Sequence, residues 1–232
     1  ILENKNYNDL PPARKRRFNR TTIRMIELSN INEDGRRMMF DRLNTGGTKL
    51  SDMEQRRGTS NSPFITLVDE IAKDQRTIAL TPLPESKLKR REREQYVLRF
   101  FAYFNNYQFF NKSVQDFLSE YILKADQDLP QFVEQYKEIF FNTFDFVTRN
   151  FDYGFRRSAT IKMISRVRFE ALSVGIALAI KENPDVFARD NIDFSWAFEE
   201  EFLAMIRSDA SNSRPKVIMR IEYVKNKILA QI

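Results

Sequence analysis

The stretch "FRRSATIKMISRVRFEALSVGIALAI", residues 155–180, joins a basic, aromatic segment to the longest apolar run of the chain. The run itself, "ALSVGIALAI" (171–180), carries no charge. It is about half of the ~20 residues that cross a bilayer, so it reads as a helix buried inside a protein core. Composition agrees with that reading. Of 232 residues, 42% are hydrophobic and 30% charged, the balance of a globular chain long enough for one large domain or two small ones. Only six glycines stand against 21 phenylalanines, which favours few turns and a helical, aromatic-rich core.

Working outward, residues from 91 onward keep a helical period. Helices are expected over 91–106, 112–125, 129–150, 160–182, 195–208 and 214–230. Phe132, Tyr136, Ile139, Phe140, Thr143 and Phe146 form the apolar line of the third. Upstream, Ser62 followed by Pro63 is a helix-start signal. Residues 77–90 hold Pro82, Pro84 and Ser86 and turn basic, which reads as an exposed connection. The β-branched "TTIRMIEL" (21–28) reads as a strand, and Asn32 as a cap for the residues after it, "DGRR" (34–37) included. The fold class is therefore mainly α: a multi-helix C-terminal bundle behind a short α+β part with one strand near 21–28. The domain boundary is placed at 60/61, with a sub-boundary near 126–130.

The chain has no cysteine and no histidine. That excludes disulfides, thiol nucleophiles, Cys-ligated zinc, Ser-His-Asp triads and HNH-type nuclease centres. The formal charge of +6 and pI of about 9.5 suit an anionic partner such as DNA. Arg149, Arg156, Arg157, Lys162, Arg166 and Arg168, interleaved with Tyr153, Phe155 and Phe169, suit phosphate contacts and base stacking. They equally suit ion pairs with the acidic run Glu199–Glu201. Arg166 and Arg168, two apart, cannot share a helix face. Arg207, Arg214, Lys216 and Arg220 flank a polar loop that reads as a phosphate site or as an ordinary cap. The clusters Glu199–Glu201 and Asp145 with Asp152 lack the geometry of a metal site, and none is assigned. No membrane span is found, and the chain is expected in the cytoplasm.

A second stretch, "FDRLNTGGTKLSDMEQRRG" (40–58), carries a loop between two helices. Gly46 and Gly47 can take the positive φ that lets backbone N–H groups converge on an anion, with Arg42, Asn44 and Lys49 nearby. Alternatively, Asn and Gly end one helix while Ser51 and Glu54 cap the next as a capping box. Both readings stand on pattern alone.

These residues, Phe40, Arg42, Leu43, Asn44, Gly46, Gly47, Leu50 and Glu54, resemble the signature of a large bacterial family of unknown-function domains. The family includes the N-terminal domain of GmrSD-type, modification-dependent restriction enzymes. Residues 7–28, 96–107, 155–180 and 211–224 resemble it too. The resemblance implies a ParB/sulfiredoxin-like fold for the N-terminal half and nucleoside triphosphate with Mg as ligand of the full-length protein. It implies nucleotide or phosphate binding at Arg42, Asn44, Gly46, Gly47 and Glu54. The family's Asp-Gly-Gln-Gln-Arg motif, tied to nucleotide hydrolysis, is absent here. The chain begins in mid-pattern and is expected to be a piece of a longer protein, with half of that site elsewhere. The functional expectation is a domain of a restriction or phage-defence protein that binds nucleotide and DNA and couples to a nuclease domain or subunit. The alternative is a helical interaction module without ligand or catalysis. A lone ParB-like nuclease is the weaker third, since no catalytic residue set is found and the oligomeric state is open.

Overall fold

The structure, a computed structural model, describes residues 6–23, 25, 27, 29, 32, 35, 38–39, 50–59, 61–111, 113–161, 163–207 and 213–232. The chain divides into two units, residues 1–39 and 40–232. In the first, α1 (Pro12–Asn19) starts on Pro11–Pro12, where a missing N–H costs nothing. Tyr7 lies against Phe18 at 5.5 Å and donates to Asn19 Oδ1 at 3.0 Å, while Asn32 Oδ1 accepts from the Gly35 N–H at 2.8 Å. The strand expected at 21–28, and with it the ParB-like α+β part, is not supported. Thr21, Thr22, Ile23, Met25 and Glu27 lie in no strand, and no strand occurs among the described residues. A β-branched run forms a strand only when a neighbour completes its hydrogen-bond ladder, whereas Ile23 and Met25 are 81% and 89% exposed.

The larger unit holds α2 (Asp52–Thr59), α3 (Pro63–Lys73), α4 (Gln75–Leu80), α5 (Glu85–Lys89), α6 (Glu92–Asn106), α7 (Val114–Asn150), α8 (Arg166–Glu182), α9 (Asp185–Ala188), α10 (Glu200–Met205) and α11 (Arg214–Leu229). Helix α8 is its centre and packs along α11 and against α6 and α7. Of the apolar run 171–180, all but Leu178 are buried. Gly175 sets the spacing: a Cβ there would stand 2.5 Å from Val224 Cβ on α11. An aromatic chain ties α6, α7 and α8 together through Phe100–Phe140 at 5.0 Å, Phe140–Phe144 at 4.1 Å, Phe144–Phe155 at 5.3 Å and Phe155–Phe169 at 4.9 Å. Three charges are buried within this core: Glu170 of α8 accepts from Arg99 of α6 and, at 2.8 Å, from Arg220 of α11.

Local signals were followed where they were strong. Ser62 accepts from the Ile65 N–H at 3.0 Å with Pro63 at the first helical position. Ser51 and Glu54 form the capping box: the Ser51 N–H donates to Glu54 Oε2 at 2.7 Å and the Glu54 N–H to Ser51 Oγ at 3.3 Å. Other expectations need correction. The break expected at 126–130 is absent, since α7 runs unbroken through Pro130. Asp126 looked like a helix end but caps a different helix, accepting from Ser62 Oγ and the Phe64 N–H, both at 2.8 Å. Residues 77–90 contain most of α4 and all of α5, with Thr77 and Thr81 buried. Helix α8 starts at Arg166 rather than 160, and the helix expected over 195–208 is a 3-10 turn, Ser195–Phe198, followed by α10. No described helix is long and apolar enough to cross a membrane.

Candidate functional site

The site is built where α7 hands over to α8. Helix α7 ends at Asn150, and the chain reverses through Gly154, whose φ of +55° and 2.8 Å approach to Leu80 Cδ2 leave no room for a side chain. Residues 156–161 and 163–165 then run without helix, anchored by Tyr96, whose hydroxyl donates to the Ile164 carbonyl at 2.7 Å. At Ser165 the helix begins, with no side-chain cap bond and no acidic residue in its first turn. The first N–H groups of a helix have no intrahelical partner, so this end of α8 keeps its partial positive charge.

Two arginines leave that first turn in opposite directions. Arg166 turns to Glu92, donating from Nε at 2.5 Å and Nη2 at 2.6 Å. Arg168 turns inward and is 2% exposed. Its Nε donates to the Phe155 carbonyl at 3.1 Å and its Nη1 to the Ala197 carbonyl at 2.7 Å. The rings of Phe198 and Phe202 lie 5.2 and 5.6 Å from the guanidinium carbon. Its Nη2 is buried and has no hydrogen-bond partner among the described residues. Burial, and secondarily the charge of Arg157, push this guanidinium down to about 10, so it is still cationic at neutral pH.

Arg168 lines a cavity of about 270 Å³. Phe155, Met163, Leu203 and Ile206 supply apolar wall, and among the described residues the charged lining is Arg157, Arg168 and Arg207 with no carboxylate. Arg207 is held outside by an ion pair to Glu200. Arg157 is exposed and makes no ion pair among the described residues. Ser165 completes the rim beside the open helix end.

The remaining basic residues are spread over several elements. Arg149 pairs with Asp190 at 3.3 Å, donates to the Phe187 carbonyl and lies over the Phe187 ring. Arg156 donates to the Tyr153 carbonyl at 3.2 Å. Arg214 and Lys216 are exposed at the start of α11 without ion pairs among the described residues. Neither Arg149 nor Arg166 pairs with the Glu199–Glu201 run, where Glu200 takes Arg207 and Glu201 takes the Tyr223 hydroxyl. Phe155 and Phe169 are fully buried and stack on core rings, so of the interleaved aromatics only Tyr153 is accessible to a base. Lys162 lies outside the described residues.

Of the loop residues, Arg42, Asn44, Gly46 and Gly47 also lie outside the described residues. Glu54 is described and serves as a cap. Burial would raise its carboxyl, but the Ser51 hydrogen bonds with Arg90 and Arg91 outweigh that and hold it below the usual range. Among the described residues no three His, Cys, Asp or Glu side chains are grouped for a metal ion. The spacing pointed to Arg157 and Arg168, and Arg207 stood out as a flank of the polar loop after it; that Arg207 shares one cavity with Arg157, Arg168, Met163, Leu203 and Ile206 appears only in the folded chain.

No family model, curated protein or solved structure matches this chain. The resemblance at residues 40–58 therefore rests on the motif residues alone.

Proposed function

We propose that the helical unit binds nucleic-acid phosphates and is the DNA-contacting part of a restriction or phage-defence type protein. In the full-length protein it would work in the cytoplasm beside the nucleotide-binding loop at Arg42–Gly47 and a nuclease domain or subunit. The observation that supports this most is the cavity at the start of α8. A protein rarely buries a cation without a carboxylate to match it. Here Arg168 has only carbonyls and ring faces, next to the exposed Arg157 and an uncapped helix end. Half-buried Arg156 and exposed Arg214 and Lys216 would add backbone contacts that position DNA without reading its sequence. No catalytic residue is assigned.

A second reading, a helical interaction module without its own ligand, is favoured by two facts. Arg149, Arg166 and Arg207 are already engaged with carboxylates. A separate cleft of about 520 Å³ opens beside α7 with Phe104, Phe132, Ile139 and Phe187 in its walls.

Titration of duplex DNA at several salt concentrations separates the two. Phosphate contact gives log K falling linearly with log salt, and Arg157→Ala or Lys216→Ala should each flatten the slope by about one. Absence of binding at low salt leaves the interaction module.

A further inference from the structure

Deepening the phosphate-binding reading, and resting on it for the role of Arg157, we propose that the cavity at the start of α8 is a specific site for a phosphate monoester carried on an apolar or aromatic body. The ligand class is a nucleoside monophosphate or the 5′-phosphate end of a strand.

The chemistry follows from what each wall offers. The inner end presents Arg168 Nη2, a buried donor with nothing to donate to among the described residues. Arg168 cannot swing out to look for a partner, because its Nε and Nη1 are fixed on the carbonyls of Phe155 and Ala197. A guanidinium pinned at two points in the wall of a cavity, with its third nitrogen unpaired, is preorganised for an acceptor seated beside it. The second donor set is the first turn of α8, whose N–H groups receive neither the Ser165 side chain nor an acid. Arg157 at the mouth supplies a mobile second cation. Donors from three parts of one cavity wall suit a tetrahedral anion with several oxygens better than a planar carboxylate, which one guanidinium edge satisfies.

The opposite wall is apolar. Phe155, Met163, Leu203 and Ile206 offer no hydrogen-bonding side chain, so an inorganic anion alone would leave this half of the cavity without contact. An organic body joined to the phosphate fills both halves. At about 270 Å³ the space is at the small end of ligand pockets, which run from ~300 to 1,000 Å³. One mononucleotide unit matches that scale better than a dinucleotide.

The molecule carries its own reporter. Trp196, the single tryptophan, precedes Ala197, whose carbonyl holds Arg168, and its ring meets Phe202 edge-on at 5.6 Å. Ligand entry beside Arg168 should therefore change Trp196 emission.

The test titrates the full chain with AMP, adenosine, inorganic phosphate, and one single-stranded oligonucleotide carrying either a 5′-phosphate or a 5′-hydroxyl. Expected are a saturable Trp196 response to AMP, none to adenosine and a weaker one to phosphate. Arg168→Met should weaken AMP binding by about tenfold or more, the loss of a charge-assisted hydrogen bond. Because that variant removes two structural bonds, Ser165→Asp is measured beside it. Aspartate caps helices about as well as serine, so this protein should melt close to wild type, yet its carboxylate occupies the donors and should abolish the AMP response. Equal responses to AMP and adenosine, no response to either, or unchanged AMP affinity in Ser165→Asp would each overturn the proposal. Preference for the 5′-phosphorylated strand over AMP identifies the strand end as the source; parity identifies the free nucleotide. Duplex binding without any AMP response removes the cavity site and leaves the DNA reading. AMP binding without duplex binding does the reverse.

Discussion

Helix α8 buries two charges two residues apart, and the surroundings treat them in opposite ways. On one side, Glu170 sits between Arg99 and Arg220, so each ion has an opposite charge in contact. On the other side, Arg168 has two carbonyls, two ring faces and an empty-handed Nη2 beside a cavity. The first arrangement joins three helices and excludes everything else. The second has no carboxylate among the described residues, and a buried cation without one is what distinguishes a site from a strut. Both arginine groups look alike in composition; only the location of carboxylates separates them.

The comparison breaks first, and most visibly, at Glu170. Glu170→Gln leaves two buried guanidinium groups without a counter-charge and should cost about 3–5 kcal/mol in urea unfolding. Arg168→Met should cost clearly less, because it removes a cation that had no carboxylate. Equal losses in the two variants would mean that Arg168 is as structural as the triad. Next is Gly175→Ala, where the added carbon meets Val224 at 2.5 Å and must push α8 from α11. Overpacking of this kind should cost about 1–3 kcal/mol, measured as a lower melting temperature. If it strains only the α8–α11 contact, Trp196 should still report the same AMP affinity.

Smaller effects sharpen the boundary of the comparison. Ser51→Ala should cost about 1 kcal/mol by removing the α2 cap, far from either buried charge. The Glu54 carboxyl is held below its ordinary value, so its contribution is present above the unfolded-state pKa and is lost as pH falls through the folded one. The difference between wild type and Ser51→Ala should therefore shrink on acidification, read from unfolding curves at stepped pH. At the alkaline end the sign reverses. Burial lowers the Arg168 guanidinium to about 10, so its burial penalty is present below that pH and is relieved as pH rises through it. Wild type should gain on Arg168→Met over that window, and a flat difference would mean that the guanidinium is not desolvated.

How much of this could be read beforehand depends on the range of the interaction. Ser62–Pro63 and Ser51–Glu54 were legible because a cap is made by residues three apart. The helices at 92–106 and 214–229 were legible to within a residue because their apolar period is long. Pro130 and the aspartates before it suggested a break, since the partner of Asp126 is more than 60 positions away at Ser62 and Phe64. The strand at 21–28 failed for the same reason in reverse: propensity was present and no ladder partner was. Within the site, Arg157 and Arg168 stood out as charge among aromatics and Arg207 as a flank of a polar loop, whereas Leu203 and Ile206 gave no signal at all.

Local chemistry was sufficient to dictate a helical, aromatic-cored protein with a buried apolar helix at 171–180 and a basic segment leading into it. It also dictated that Arg166 and Arg168 would diverge, because a helix turns about 100° per residue. Tertiary packing alone decided which of the two would find a carboxylate. Electrostatic compensation acts through space over a few ångströms and ignores sequence distance. Glu92 therefore satisfies Arg166, while among the described residues the fold brings Arg168 carbonyls, rings and a cavity with no acidic side chain in its lining.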